Sequence, residues 1–358
     1  MSCANITRTV KKMNKRIELL RKYISDKGLD AVIVTNESNV RYFSDFTGEG
    51  HLVISPSSLV LCTDFRYTEQ AKIQSPGFEI ADIAKVRQSD VLAEFKTVGF
   101  ENKTISYDEF GVFSKCVDKT VNLDFALTDM RAVKDGDEIE CIKAAEHIGD
   151  MAFEHILKFI KPGVSERDIA LELEFFMRKS GAEAMSFSPI AAAGAHGSMP
   201  HAEPGDYTVK NGDFIVMDFG CKYKGYCSDM TRTVCVGKAT DEQKNVYNTV
   251  LKAQTESLAM LCAGANPSEV HRLAQRIIDA DYPGTFGHAL GHGVGLDIHE
   301  RPVLSPKNNV PLVRSNVVTV EPGIYLAGKF GVRIEDVAVI CDENIINLTN
   351  SDKNLIEL

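Results

Sequence analysis

No apolar run in this chain approaches the ~18 residues that a membrane span requires, and no hydrophobic stretch follows the positively charged N-terminus MSCANITRTVKKMNKR. A cytoplasmic protein with no membrane partner is expected. Positive charge is also scarce: 40 Lys and Arg against 50 Asp and Glu give a formal net charge of −10, whereas nucleic-acid binders need a basic face to neutralise phosphates. The one basic cluster, Arg8 to Arg21, reads as the solvated face of a helix. No CxxC pair occurs among the nine cysteines, an odd number, which argues against a disulfide framework or a zinc knuckle and for reduced thiols. The nearest approach to a phosphate loop, GHGVG, does not complete GxGxxG and opens no helix.

What remains is ordinary globular composition, 44% hydrophobic and 25% charged over 358 residues, enough for about two domains. The first ~125 residues alternate helical and strand patterns: a helix near Lys15 to Lys27, then strands at Asp30–Thr35, Leu52–Ser55 and Leu59–Thr63 and near Ile80 and Ile105. This is an α/β domain without a catalytic constellation, suited to scaffolding or dimerisation. A polar stretch at Thr128–Gly136 sets the boundary, giving domains 1–128 and 129–358. Met13 is a second candidate start, because residues 1–12 carry no motif. Beyond the boundary come a long helix, Glu138–Lys161, and capped helices opened by Ser165 with Asp168 and closed by Gly181, by Thr240 with Gln243 running to about Cys262, and by Ser268 running to about Ala280.

Two later stretches, FIVMDFGCKYKGYCSDMTRT and NVVTVEPGIYLAGKFGVRIED, read as β-hairpins with one carboxylate on each arm. With Lys222–Gly225 as the first turn, Asp218 falls opposite Asp229, and Cys227 points to the same face as a small buried hydrophobe. With Ala327–Lys329 as the second loop, Glu321 falls opposite Glu335 and Arg333 opposite Gly323. Directly opposed side chains lie about 5 Å apart, where like charges repel. A cation is expected between them. Both hairpins share the pattern apolar strand, carboxylate, any residue, Gly, so the second domain reads as two similar halves closing on one site.

Between the hairpins His288, His292 and His299 sit among Gly284, Gly287, Gly291, Gly293 and Gly295. The HxxxH spacing lacks the HExxH glutamate, and so many glycines disfavour a helix, so a strand or loop is expected. The inferred first ligand set is Asp218, Asp229, one of these histidines, Glu321 and Glu335. Four carboxylates exceed what one divalent ion offsets, so two ions at roughly 3.5–4 Å are expected. Oxygen-rich ligation favours manganese or a similar hard ion.

Met217–Gly220 (MDFG), GYCSDMTRT (225–233), GHALGHGVGLDIHE (287–300), VEPGIY (320–325) and GVRIED (331–336), with an LRxxK-like stretch at 130–134, resemble the pita-bread metallopeptidases, in the branch of Xaa-Pro dipeptidase (prolidase) and aminopeptidase P. The resemblance covers essentially the whole chain. It implies an α/β N-terminal creatinase-like domain plus an α+β pita-bread catalytic domain with pseudo-twofold halves. It selects His292 as the histidine ligand beside Asp218, Asp229, Glu321 and Glu335. It further implies that His299 contacts the substrate carbonyl, His201 approaches the leaving nitrogen, His288 and Arg333 bound the proline side, and Glu321 shuttles the proton. The implied reaction is hydrolysis of the bond before proline by a metal-bridging hydroxide. Two Mn ions are the first choice, with Co or Zn as alternatives, and the implied substrates are Xaa-Pro dipeptides or short proline-containing peptides. A homodimer is implied, as in relatives.

Several departures and competing readings accompany it. Pro283 in ADYPGTFGHA and HALGHG in place of HGTGHG or HGLGHG lie outside the ligand set and bear on pocket shape. Aminopeptidase P acting on longer peptides is the nearest alternative. Methionine aminopeptidase is disfavoured by the extra N-terminal domain. A metal-free creatinase-like amidinohydrolase need not keep four carboxylates, and a non-catalytic peptide-binding relative need not keep all five ligands.

Overall fold

The computed structural model describes residues 3–358, with side chains from Lys15 onward. The chain divides into two compact units, Met1–Arg131 and Ala132–Leu358. Among the described residues no helix is long and apolar enough to cross a membrane.

The first unit is built on a six-stranded sheet in the order Glu79–Asp82, Leu59–Thr63, His51–Ile54, Ala31–Val34, Thr97–Phe100, Lys119–Asn122. The all-apolar strand Ala31–Val34 is buried at every position, as expected of a central strand covered on both faces. Ile105 is not in a strand. Ser106 and Glu109 form a capping box that starts the helix Tyr107–Phe113, and the neighbouring strand falls earlier, on Thr97–Phe100. The N-terminal helix spans Cys3–Asp26, and its basic residues are not uniformly solvated. Arg16 is buried, donating to Tyr42 O (2.9 Å) with its guanidinium 4.0 Å over the Tyr42 ring, and Arg21 Nε donates to Ser55 O. Long aliphatic stems let such cations pack into apolar surface while their heads find acceptors. The side chains of Arg8, Lys11 and Lys12 and the alternative start at Met13 lie outside the described side chains.

The second unit repeats one plan. In its first half the helices Gly136–Phe159 and Glu166–Lys179 pack on a sheet of Ile190–Ala193, Phe214–Phe219, Met230–Cys235 and Ile356–Glu357. In the second half, Asp241–Ala259 and Pro267–Asp279 cover a sheet of Glu300–Leu304, Gly291–Gly293, Val317–Val320, Asp336–Ile340 and Ile345–Asn347. The capping boxes of Ser165 with Asp168 and Thr240 with Gln243 are formed. The last long helix is capped by Asn266 rather than Ser268, because Pro267 occupies the first helical position, where its missing N–H costs nothing. Buried side chains tie the halves together: Arg232 pairs with Asp336 (2.7 Å), and Thr233 Oγ1 donates to Arg333 O (3.0 Å).

Candidate active site

The first hairpin turns on two residues, Lys224 and Gly225, both at positive φ (49° and 81°). That is the arrangement of a tight hairpin turn matching strand twist. Tyr223 therefore pairs with Tyr226 and Asp218 with Thr231, not with Asp229. The expected register was two residues off because Lys222–Gly225 is not the loop: a lysine in the left-handed region extends the strands inward. A shift of two keeps every side chain on its face, so Asp229 still shares the face of Asp218, set diagonally and across from Gly220. A Cβ at Gly220 would lie 2.0 Å from Ser228 O, so only glycine fits there. The second hairpin has the expected loop, with Gly328 at φ 72°, and pairs Gly323 with Arg333 and Val320 with Asp336. Glu321 and Glu335 thus face each other where the two ladders break at Pro322.

His292 is carried by the short strand Gly291–Gly293, as the glycine content suggested. Its Nδ1 lies 3.1 Å from Gly293 O, which places the proton there and frees Nε2 to act as a ligand. Nε2 lies 3.5 Å from Asp229 Oδ2 and 3.3 Å from Glu321 Oε1. Donor atoms of Asp229, His292 and Glu335 all fall within 4.8 Å of one another. Asp218 and Glu321 complete the walls of the same cavity, about 440 Å³, which His201, His288, His299 and Arg333 also line. The His299 ring stands 4.3 Å from that of His292, edge to face.

Electrostatics in this cavity are unfavourable for protein alone. Burial, then repulsion from Glu335 and Asp218, pushes the Asp229 carboxyl well above its ordinary range, and burial with its acidic neighbours does the same to Glu335. Burial raises Glu321 to about 8 and lowers His292 to about 4. Asp218 Oδ1 and Glu335 Oε1 are buried with no hydrogen-bond donor. Unsatisfied buried carboxylate oxygens are costly, and hard divalent cations are the partners such a set accepts. The residues present therefore fit a bound metal.

A supporting ring holds these groups, and most of it was not singled out from sequence. Thr231 Oγ1 donates to Glu335 Oε2 (2.7 Å) and accepts from Arg333 Nε (3.0 Å). Thr319 Oγ1 donates to Glu321 Oε1 (3.1 Å) and accepts from the His292 N–H (3.0 Å). Arg333 also pairs with Asp218 (2.5 Å) and donates to the Tyr325 hydroxyl (2.9 Å), which in turn meets His288 Nε2 at 3.0 Å. Burial lowers His288 to about 4. Glu146, from the long helix Gly136–Phe159, accepts from the Asp229 N–H (2.8 Å). Strand parity offered a signal for three of these: Thr231 lies two residues from Asp229, Thr319 two from Glu321, and Tyr325 two from Gly323. Cys227 is buried with its Sγ toward Leu296 O and does not line the cavity.

Residues 140–342 match the metallopeptidase family M24, and residues 16–133 match the creatinase/prolidase N-terminal domain. The chain is 41% identical to the uncharacterized peptidase YqhT of Bacillus subtilis (strain 168), over 96% of this chain and 100% of that one. It is 33% identical to the Xaa-Pro dipeptidase of Pyrococcus furiosus, over 96% and 100%. Among solved structures, an Xaa-Pro dipeptidase from Bacillus anthracis superposes with a TM-score of 0.93 at 41% identity, covering 97% of this chain and 100% of that one. The X-Pro aminopeptidase from Thermotoga maritima MSB8 gives 0.88 at 38%, covering 96% and 100%.

Proposed function

The chain belongs to metallopeptidase family M24, with a creatinase/prolidase N-terminal domain ahead of a pita-bread catalytic domain, and from that premise we propose that it hydrolyses the peptide bond preceding proline. The observation that carries this reading is the set Asp218, Asp229, His292, Glu321 and Glu335 lining one cavity, with Asp229 and Glu335 buried and one oxygen each of Asp218 and Glu335 left without a donor. These five side chains would hold two divalent ions, manganese first and cobalt or zinc as alternatives. Such ions supply charge compensation, polarise a carbonyl and acidify water.

The protein's own groups do the rest. Thr319 engages Glu321 Oε1, leaving Oε2 to take a proton from water and pass it on. The His299 imidazole, beside His292, donates to the carbonyl oxygen as it gains negative charge. His201, exposed at the cavity edge, serves the departing proline nitrogen. Arg333 holds Asp218 in place and, with His288 and Tyr325, forms a rigid wall on the proline side. A bond to proline has no N–H, so such a site selects by shape and by protonating the leaving nitrogen. We assign catalysis to residues 129–358 and a scaffolding role to 1–128. The eight described cysteines are free thiols, which suits a reducing cytoplasm. A homodimer is the expected working form, read out by sedimentation.

A second reading, aminopeptidase P acting on longer peptides, is favoured by the likeness to the Thermotoga X-Pro aminopeptidase. The decisive experiment pairs metal analysis with kinetics. Asp229→Asn and Glu335→Gln should lose bound metal together with activity. His299→Ala should retain metal and lose turnover by about 10²–10³-fold. Near-normal hydrolysis with full metal in either carboxylate variant would refute the assignment.

A further inference from the structure

Glu203 lines the cavity yet stands apart from the four clustered carboxylates. Its place is set by backbone. Arg333 Nη1 donates to Pro200 O (3.2 Å) on one side, while buried Glu166 accepts from the N–H of Gly205 (3.1 Å) and of Ala193 (2.8 Å) on the other. Between these anchors Ala202 is buried and Glu203 is exposed. Among the described residues no hydrogen bond or ion pair engages the Glu203 carboxylate. The mouth of the cavity therefore carries an uncommitted negative charge on a backbone position anchored from both sides.

No free wall cation offsets it, since the two divalent ions the site would hold are matched by its four clustered carboxylates. Arg333 is the single Lys or Arg lining the cavity, and four of its five N–H donors are taken by Thr231 Oγ1, Pro200 O, the Tyr325 hydroxyl and Asp218. An Xaa-Pro dipeptide bears its free carboxylate on the proline itself, one residue past the scissile bond and so within about 4 Å of chain. That anion would be held inside the cavity with no free Lys or Arg to pair with, a costly arrangement. A peptide continuing past proline presents a neutral amide there and leaves by a mouth that favours cations.

Resting on the function proposed above, we propose that Glu203 is a specificity-determining residue. It biases the site toward Xaa-Pro peptides extended beyond proline, most of all by a basic residue, and against free dipeptides.

The test uses the full chain loaded with Mn²⁺, at low salt, on Ala-Pro, Ala-Pro-Ala and Ala-Pro-Lys, with calorimetric titration of L-proline and L-prolinamide alongside. Extended peptides should be preferred over Ala-Pro by about tenfold in kcat/KM, and Ala-Pro-Lys over Ala-Pro-Ala by about fivefold. Glu203→Gln should narrow both ratios mainly through KM, and Glu203→Lys should invert the lysine preference. Prolinamide should bind the wild-type protein more tightly than proline, with the gap shrinking in Glu203→Lys. Preference for Ala-Pro, or unchanged ratios in both variants, overturns the role of Glu203 while leaving proline-directed hydrolysis intact. Cleavage of none of the three peptides sinks the functional reading itself.

Discussion

A carboxylate's worth in this site depends on who holds it. Thr231 lies between Glu335, to which it donates, and Arg333, from which it accepts, so a single hydroxyl orients a proposed ligand and a cation together. Thr231→Val should keep the fold and weaken metal affinity about 10–100-fold, measured by titration with Mn²⁺, while Thr231→Ser should restore most of it. Equal affinity in Thr231→Val would show that Glu335 is positioned by its backbone alone. The carboxylates proposed as ligands stood out in the sequence because Asp and Glu announce metal chemistry by residue type, whereas the choice of His292 among three histidines came from the family resemblance. Thr231, Tyr325 and Glu146 did not stand out, since their importance comes from partners such as Glu335, 104 positions away along the chain from Thr231.

Hairpin geometry decides which carboxylates meet. The second hairpin could be aligned from its sequence because Gly328 marks the loop unambiguously and the register follows. The first could not, because Lys224 adopts φ 49°, a conformation that non-glycine residues rarely take and that costs roughly 1–2 kcal/mol. Gly225→Ala should therefore destabilise the second unit by about 1 kcal/mol, whereas Lys224→Asn should stabilise it by several tenths of a kcal/mol. Both are read from urea unfolding midpoints. Neither residue lines the cavity, so activity in the folded protein should be unchanged. An active-site defect in Lys224→Asn would mean that the turn sets the ligand register less rigidly than the ladder suggests.

At the scale of the molecule, buried like charges set against a bound cation couple metal to stability. Any ligand that binds only the folded state stabilises it by mass action, about 2.7 kcal/mol at a hundredfold excess over Kd. Chelation should therefore lower the unfolding midpoint, with Mn²⁺ restoring it. In Asp229→Asn both responses should shrink sharply. Because that variant also removes a buried negative charge crowded by Glu335 and Asp218, its metal-free form should be no less stable than metal-free wild type. A variant that still gains the full increment from Mn²⁺ would place the ion elsewhere.

Residue order alone was enough to mark the two carboxylate hairpins, the helices capped by Ser165 and Thr240, and a non-helical glycine-rich stretch around His292. Each of these is encoded within a few neighbours, through side-chain periodicity and local hydrogen bonds. The folded chain settled matters that local pattern cannot reach: the diagonal placement of Asp229, the burial of Arg16 against Tyr42, and the meeting of Glu203, His201 and Arg333 around one cavity. The first follows from a left-handed Lys224 in the turn, the second from two helices packing together, and the third from segments more than a hundred residues apart meeting at one site, a contact that leaves no trace in the periodicity of either partner.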